Sequence, residues 1–479
     1  MDIINAIIGY ANTYLYTYIL VILLVAGGLY FSIRTKFVQF RLLGDQFKSL
    51  ADKPKEKGGV SSFQALMVST ASRVGTGNIM GVAAALCAGG FGAIFWMWII
   101  ALIGAASAFV ESTLAQIYKK KGKDGFYGGP SYYIEQGLKI KWLAIIFSVL
   151  LIFTYGVGFN MLASNKLQLT FSEYSFYNAS FTPWIIGGII ALAVGYCLFG
   201  GGKRLVKITG ILVPIMGVLY ILVALVITVI NAPMLPGIFG RIFSEAFDLS
   251  SLFGGIMGMC IIKGVQRGLY SNEAGIGSAP NAAASAEVDH PANQGLVQVL
   301  SVFIDTILIC TASAFMFMSS GIEPSIYANQ ESLFVQKAMT SNMGVAGPIF
   351  ITVAMVLFAF TTLIGNIYYV DKCINHLFGK EPPKWVKNII YVTASLIILL
   401  GAGLSSGLLW DIADVSMGLM ALINIPVIVI LGRYAFRALK DYDKQRKEGK
   451  KPVFLAKNIG LEGKTECWQE SEEISGEDK

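Results

Sequence analysis

Two glycine-rich segments place polar and charged residues inside long apolar runs. The first reads Ser69-Thr-Ala-Ser-Arg-Val-Gly-Thr-Gly-Asn78, and the second, residues 263–280, holds three charges and four glycines. Glycine weakens a helix, so each segment is expected to interrupt one. Unwound backbone at membrane depth offers N–H groups to a carboxylate and C=O groups to a cation or an ammonium group, and two matching breaks are typical of a transport site. The alternative is that the glycines only allow close helix packing.

The whole chain has the composition of an integral membrane protein. Of its 479 residues, 55% are hydrophobic and only 14% are charged, whereas soluble domains carry about 25% charged residues. The mean hydropathy is +0.63. Six cysteines are too few for a disulfide scaffold. The net charge of +7 comes from lysines and arginines in short runs between apolar segments, so nucleic-acid binding is not expected.

Eleven apolar stretches are long enough to cross a bilayer as helices, for which about 20 residues are needed. Such long continuous runs exclude a transmembrane β-barrel, whose strands are about ten residues long. The predicted spans are residues 16–33, 61–86, 91–118, 142–171, 183–200, 207–230, 251–280, 295–319, 346–370, 387–404 and 407–432.

The distribution of lysine and arginine predicts the orientation of these spans. If the N-terminus is outside, nearly all of the 37 basic residues fall in loops on the inner side or in the tail. The predicted outer loops hold only Lys166, Arg241 and Lys337. Because basic residues accumulate on the cytoplasmic side, the N-terminus is predicted outside and the C-terminus inside. Residues 1–433 form the membrane domain, and residues 434–479 are interpreted as a solvated, polar cytoplasmic tail.

Four stretches of the sequence closely resemble the alanine or glycine:cation symporter family, the sodium:alanine symporters. They are Tyr30-Phe-Ser-Ile-Arg-Thr-Lys-Phe-Val-Gln-Phe40, Val74-Gly-Thr-Gly-Asn-Ile-Met-Gly-Val82, Gly90-Phe-Gly-Ala-Ile-Phe-Trp-Met-Trp98 and Arg267-Gly-Leu-Tyr-Ser-Asn-Glu-Ala-Gly-Ile-Gly-Ser-Ala-Pro280. The resemblance extends from about residue 17 to Cys467 and Trp468. It implies sodium-coupled uptake of small neutral amino acids across a bacterial or archaeal plasma membrane.

The resemblance also implies an all-α fold of two inverted five-helix repeats, about residues 61–230 and 251–432, preceded by one extra helix at 16–33. Core helices 1 and 6 of this arrangement are discontinuous. They contain the two glycine-rich segments described above. The count of eleven spans agrees with this arrangement.

The substrate site that the resemblance implies lies between the two breaks. One side offers the N–H groups of Thr76 and Gly77, and the break at residues 264–268 faces the substrate from the other. Gln266 has an alternative role as a helix-to-helix hydrogen-bond partner. Asn366 stands where some family members carry a bulky Trp, so we hypothesise that it enlarges the pocket for glutamine; alternatively it faces a neighbouring helix. The implied residues are Gly75, Thr76, Gly77, Asn78, Gly264, Val265, Gln266, Gly268 and Asn366.

A sodium site is implied between core helices 1 and 8. Its ligands are the carbonyls of Ala71, Val74 and Phe358 and the hydroxyls of Thr361 and Thr362. Hard oxygen ligands without thiol or imidazole suit this ion. The alternative for the two threonines is that they bond back to carbonyls of their own helix. One Na⁺ is expected, and no organic cofactor.

The remaining ionisable residues of the spans have two interpretations each. Arg73, Arg267 and Glu273 form either a gate or a brace for unwound backbone. Asp411 and Asp414 form either an entrance lip or an acidic first helical turn. Solvated positions near helix ends are predicted for Glu111, Asp305 and Asp371, and exposed loop positions for His290 and His376.

Three other classes of protein fit the sequence less well than a symporter does. A channel would need a symmetric pore or a ring of one residue type. An enzyme would need clustered histidines, cysteines or carboxylates at membrane depth, and the sequence has no such cluster. An amino-acid sensor on a transporter fold would need an output domain, for which the tail is short. The predicted partners are a small neutral amino acid and the lipid bilayer; a monomer suffices, and the oligomeric state is not predicted.

Overall fold

The computed structural model describes residues 2–54, 59–122, 125–247 and 256–469. Lys55, Lys57, Lys123, residues 251–255 of the seventh predicted span and residues 470–479 of the tail lie outside the described residues. In chain order the helices are α1 (Ala6–Arg34), α2 (Val38–Arg41), α3 (Leu43–Leu50), α4 (Ser62–Arg73), α5 (Gly77–Gly89), α6 (Gly92–Ile117), α7 (Pro130–Tyr133), α8 (Lys141–Leu169), α9 (Thr182–Leu198), α10 (Gly201–Ile230), α11 (Leu235–Ala246), α12 (Ile256–Asn272), α13 (Pro280–Ala283), α14 (Pro291–Met318), α15 (Glu331–Met343), α16 (Ala346–Phe378), α17 (Lys384–Ala402) and α18 (Ser406–Lys447).

The described part of the chain is helical apart from one small hairpin, and the sequence predicts the helical class. Strands β1 (Lys120–Gly122) and β2 (Gly125–Tyr127) pair antiparallel after α6. Short 3₁₀ turns lie at Ala232–Met234, Pro324–Tyr327 and Ala456–Ile459. Within the described residues, eight helices are long and apolar enough to cross a membrane: α1, α6, α8, α10, α14, α16, α17 and α18.

The other predicted spans are shorter helices or pairs of helices. The second predicted span is divided into α4 and α5, the fifth is the 17-residue α9, and the seventh contains α12 and α13. The eleven-span count and the inverted repeat therefore stay predictions. The divided segments are the two that the glycines marked in the sequence.

The broken helices lie in the interior of the bundle. Helix α6 packs against both α12 and α14, and α4 packs against α10 and α16. Every residue from Ala65 to Ala83 is buried. By contrast, α9, α10 and α17 expose large apolar side chains, among them Leu192, Leu222 and Leu400. Those outward faces suit contact with lipid, because lipid tails offer no polar partners.

The two ends of the bundle differ in their charged contacts. At one end, which we call the basic end, Arg41 pairs with Asp443 and Arg446 pairs with Asp45. The predicted inner loops meet here, together with β1 and β2. At the opposite end lie the three basic residues of the predicted outer loops: Lys166 pairs with Glu331, Arg241 with Glu323 and Lys337 with Glu173.

The interpretation of the tail as a solvated extension is wrong for the described part. Helix α18 continues to Lys447, so residue 433 lies inside a helix. Beyond it, the chain folds back against the basic end, which removes its few apolar side chains from water. The buried apolar residues are Phe454, Ala456, Ile459, Leu461 and Cys467.

Candidate functional site

The first predicted break is present, and it lies at Gly75 and Gly77 as the sequence predicts. Helix α4 ends at Arg73, Val74 is extended (φ −76°, ψ 91°) and α5 begins at Gly77. The Gly75 N–H donates to Asn78 Oδ1 at 2.7 Å, and the Asn78 N–H donates to Gly75 O at 3.2 Å. In a continuous helix these N–H groups would pair with the carbonyls of Ala71 and Val74. Both carbonyls are therefore released from helix bonding at the break.

The position predicted for the second break is wrong. Helix α12 runs unbroken through residues 264–268 and ends at Asn272. The chain then turns through positive φ angles at Glu273 (55°), Gly275 (86°) and Gly277 (87°). Gly264 and Gly268 instead let α12 approach α6, since a Cβ on either would lie 2.6 Å from α6 atoms.

One buried hydroxyl oxygen faces the first break. A Cβ added to Gly75 would lie 1.7 Å from Thr362 Oγ1, and this oxygen has no hydrogen-bond partner among the residues that the structure describes. Gly365, one turn further along α16, lets this helix touch the backbone of α4, since its Cβ would lie 2.8 Å from Ser72 N. Thr361 differs: its hydroxyl donates to the carbonyls of Leu357 and Phe358 at 3.1 and 3.0 Å. The back-bonded alternative thus describes Thr361 and not Thr362.

A chain of hydrogen bonds links α4, α8 and α16 to the second break. The Ser72 hydroxyl lies 2.7 Å from Asn366 Oδ1 and 2.9 Å from Glu273 Oε1. Asn366 Nδ2 donates to Asn160 Oδ1 at 2.9 Å, and the Ser278 hydroxyl donates to Glu273 Oε2 at 2.7 Å. Glu273 therefore joins the two breaks, as the bracing interpretation expects. Asn366 contacts two neighbouring helices, which is the alternative to a pocket role.

Asp305 is buried in the middle of α14, so its predicted solvated position is wrong. Its carboxylate accepts hydrogen bonds from Asn78 Nδ2 at 2.7 Å, from the Ser271 hydroxyl at 2.7 Å and from the Thr306 hydroxyl at 2.8 Å. Asn78 belongs to the first break and Ser271 lies just before the second. The carboxylate thus ties both breaks to α14.

Glu111 is likewise buried, contrary to the solvated position predicted for it. Its Oε1 accepts from the Gly275 N–H at 3.2 Å, and its Oε2 accepts from Asn424 Nδ2 at 2.8 Å. Asn424 in turn accepts from the Tyr133 hydroxyl at 2.5 Å. A carboxylate from α6 therefore satisfies an N–H group of the second break, where the helix no longer does. Asp371 is partly buried and accepts from the Tyr391 hydroxyl at 3.0 Å.

The structure does not bring the predicted residues 264–268 to the first break. Gln266 accepts a hydrogen bond from Lys263 at 3.0 Å and donates to Asn12 of α1 at 3.2 Å. This is its helix-to-helix alternative. Val265 is buried in the apolar core. The α12 residues beside the break are Tyr270, whose ring would meet a Cβ on Gly77 at 3.0 Å, and Ser271.

Aromatic rings and a buried ion pair close the opposite end above Tyr270. The Tyr270 ring lies between those of Phe159 and Trp410, at centroid distances of 4.8 and 5.0 Å. Arg267 pairs with Asp414 at 2.5 Å and lies 3.8 Å from the Trp410 ring centroid. Asp414 is buried, so it forms neither an entrance lip nor an acidic first helical turn. Its neighbour Asp411 accepts from Asn12 at 2.7 Å.

A second ion pair closes the same end. Lys166, fully buried in α8, pairs with Glu331 of α15 and donates to Ser406 at the start of α18. Trp410 Nε1 donates to Glu331 at 3.0 Å. Sequence reasoning missed this pair and Asn160. The signal was available, because Asn160, Asn165 and Lys166 are polar residues inside the predicted span 142–171.

The prediction of exposed loop histidines is wrong for both residues. His290 is buried between the rings of Tyr442 and Phe454, and its Nε2 lies 3.4 Å from Asp441 Oδ2. Burial lowers the pKa of His290 below its ordinary value. His376 lies on α16 and contacts Glu135 at 2.8 Å.

Arg73 is also buried, with Nη1 donating to Gln298 at 3.1 Å.

Eight helices that are long and apolar enough to cross a membrane, together with two interrupted segments around a polar centre, are typical of a secondary transporter. A family model described as "Sodium:alanine symporter family" matches residues 1–456. The chain is 42% identical to "Amino-acid carrier protein AlsT" of Bacillus subtilis, over 98% of both chains. It is also 42% identical to "Probable sodium/glutamine symporter GlnT" of the same organism, over 98% of this chain and 97% of that protein.

The chain therefore belongs to the sodium:alanine symporter family and is a transporter, not an enzyme. Among solved structures, the complex of MhsT with L-phenylalanine is similar, with a TM-score of 0.57 and 16% identity. The match covers 80% of this chain and 92% of that one. At this identity the likeness concerns the fold alone.

Proposed function

We propose that this protein carries Na⁺ and a small neutral amino acid together into the cell by alternating access. The observation that carries the proposal is the unpartnered hydroxyl of Thr362 beside the released carbonyls of the first break. Alanine and glycine are the proposed substrates, with glutamine as a further one. Glutamine is supported by the similarity to GlnT.

The sodium ion would bind where α16 touches the first break. Ala71 and Val74 supply carbonyls that have lost their helical partners, and Thr362 supplies an oxygen that lacks one. Thr361 and Phe358 complete the proposed ligands. The Thr361 proton is used within its helix, but its oxygen keeps a lone pair for a cation. Five uncharged oxygens suit a monovalent hard cation, which costs less to desolvate than a divalent one.

The amino acid would bind with its carboxylate at the start of α5. The first N–H groups of a helix have no partner within it, and the helix dipole favours a negative group there. Those groups belong to Thr76 and Gly77. Because the second break lies after Asn272, we replace residues 264–268 on the facing side by Tyr270 and Ser271. The Tyr270 ring against Gly77 limits the space, which favours a small side chain.

Both solutes would stabilise the same geometry of the break, so each raises the affinity for the other. One copy of the chain contains all these residues, and a monomer suffices. We place the basic end in the cytoplasm and the N-terminus outside. The lysines and arginines gathered at the basic end support this orientation.

The test is uptake of radiolabelled L-alanine into proteoliposomes, with an inward Na⁺ gradient compared with an equal K⁺ gradient. Unlabelled glycine and L-glutamine serve as competitors. We expect uptake only with Na⁺, and a raised half-saturating Na⁺ concentration for Thr362→Val. The matched control is Thr209→Val, since the Thr209 hydroxyl is buried but donates to the Leu205 carbonyl at 3.1 Å. Uptake that ignores Na⁺, or an unchanged Na⁺ dependence in Thr362→Val, would refute the proposal.

A further inference from the structure

The C-terminal segment, residues 453–468, folds back against the basic end. The Phe454 N–H donates to Asp289 O at 3.0 Å, and Lys451, just before the segment, pairs with the Asp289 carboxylate at 2.6 Å. The Ala456 N–H donates to Trp468 O at 2.9 Å, which closes the segment into a loop. A sequence that looks like a polar tail is thus anchored at both of its ends.

Trp468 contacts three separate parts of the transporter. Its indole N–H donates to Gln116 O, near the end of α6, at 2.9 Å. Its ring lies 4.4 Å from the ammonium group of Lys119. The same ring packs against an apolar cluster formed by Ala65 of α4 with Ala286 and Val288 of the loop between α13 and α14.

The loop under Trp468 is fixed to α6 and in turn holds the start of α4. Gln116 Nε2 and Lys119 Nζ both donate to Ala286 O, at 2.9 and 3.2 Å. The Glu287 N–H donates to the carbonyl of Val60, two residues before α4, at 2.9 Å. Trp468 therefore lies over the junction at which α4 meets the loop and α6.

Helix α4 runs from this junction, at Ser62, to the first break, where the proposed ion site lies. Its backbone at Ser72 touches α16 at Gly365, where a Cβ would lie 2.8 Å from Ser72 N. An ion leaving toward the basic end needs α4 to move away from α16. Contacts that hold α4 in place therefore oppose that release.

We propose that Trp468 is a positioning residue for α4, the half of the first broken helix that lies toward the basic end. This inference rests on the proposed function, because it assigns a role within alternating access. While Trp468 is docked, α4 stays against the loop and α6, and the cytoplasmic side is closed. Undocking of the C-terminal segment frees α4 for ion and substrate release.

Hydrogen exchange of the full-length protein in lipid nanodiscs tests the inference without a transport measurement. We compare wild type with Trp468→Ala and with the conservative Trp468→Phe. The matched control is Trp385→Ala, because Trp385 is 66% exposed at the start of α17. We expect exchange in residues 62–73 and 284–290 to be about tenfold faster in Trp468→Ala, from loss of one hydrogen bond and one cation–π contact. Trp468→Phe should restore part of the protection.

Two results would overturn the inference. One is unchanged protection of residues 62–73 in Trp468→Ala. The other is a rise of equal size in α15 at the opposite end, which would make Trp468 a general packing residue. In the uptake assay, Trp468→Ala should raise the half-saturating external Na⁺ concentration severalfold, because fewer molecules face outward. If wild type shows no Na⁺-dependent uptake, the proposed function fails, while the exchange data still decide whether Trp468 holds α4.

Discussion

Replacing Gly75 by alanine is the sharpest perturbation of the proposed sodium site. Gly75 does not occupy the left-handed region, so the backbone tolerates alanine. The added methyl carbon would instead lie 1.7 Å from Thr362 Oγ1. Small shifts cannot relieve so short a distance, and a β-branched side chain in a helix has few alternative rotamers. Either the hydroxyl leaves the break or α16 moves.

The size of the effect follows from this steric conflict. Overpacking of a buried site costs about 1–3 kcal/mol. If that cost falls on the ion-bound state, the affinity for Na⁺ drops by about 5- to 150-fold. Gly81→Ala is the matched control on α5, since its methyl carbon would lie an ordinary 3.7 Å from the Tyr270 ring. It should leave Na⁺ affinity unchanged.

The assay is the Na⁺ dependence of L-alanine uptake, with thermal unfolding measured on the same preparations. The double variant Gly75→Ala/Thr362→Ala separates the two causes, because it removes the crowded hydroxyl. It should recover thermal stability while its Na⁺ affinity stays low. A Gly75→Ala protein with wild-type Na⁺ dependence would show that Thr362 does not face a bound ion.

Three further predictions concern other parts of the molecule. Arg267→Ala or Asp414→Ala should each cost about 3–5 kcal/mol of stability, because each variant leaves a buried charge unpaired. In thermal unfolding the double variant should lose less stability than the two single variants added together, and strict additivity would contradict the pairing. Burial lowers the pKa of His290, which faces Asp441, so the undocked state binds a proton first as the pH falls. Docking of the C-terminal segment should therefore be full above about pH 6.5 and weaken below it. Hydrogen exchange at about pH 7.5 and about pH 5.5 measures this, and an equal pH dependence in His290→Gln would show that another group causes it. Asn366→Trp should lower uptake of alanine, glycine and glutamine alike, because Asn366 is fully buried and contacts Ser72 and Asn160; a loss confined to glutamine competition would instead assign Asn366 to the pocket.

The first break could be predicted from the sequence because its own residues make it. Gly75 and Gly77 weaken the helix, and Asn78 supplies the oxygen that takes the Gly75 N–H away from its helical partner. All of these contacts are local. A reader of the sequence needs no knowledge of the neighbouring helices to expect them.

The second break could not be located in the same way. In the sequence the pair Gly264 and Gly268 looks the same as the pair Gly275 and Gly277. In the structure the first pair allows α12 to pack closely on α6, and the second pair adopts positive φ angles. Only the position of α6 distinguishes these uses. The same holds for Glu111, whose burial depends on Asn424 more than three hundred residues away.

Charged contacts at the two ends of the bundle differ in how strongly dissolved salt screens them. Around Trp468 the charged group is Lys119, held between the Phe126 and Trp468 rings at 4.1 and 4.4 Å. At the opposite end Arg241 and Glu323 are both nearly half exposed, and mobile ions screen such pairs over a Debye length of about 8 Å at physiological ionic strength. Rising ionic strength should therefore weaken the contact between Arg241 and Glu323 and leave the contact between Lys119 and Trp468 nearly unchanged. In saline surroundings the contact between Arg241 and Glu323 should weaken before the contact between Lys119 and Trp468 does.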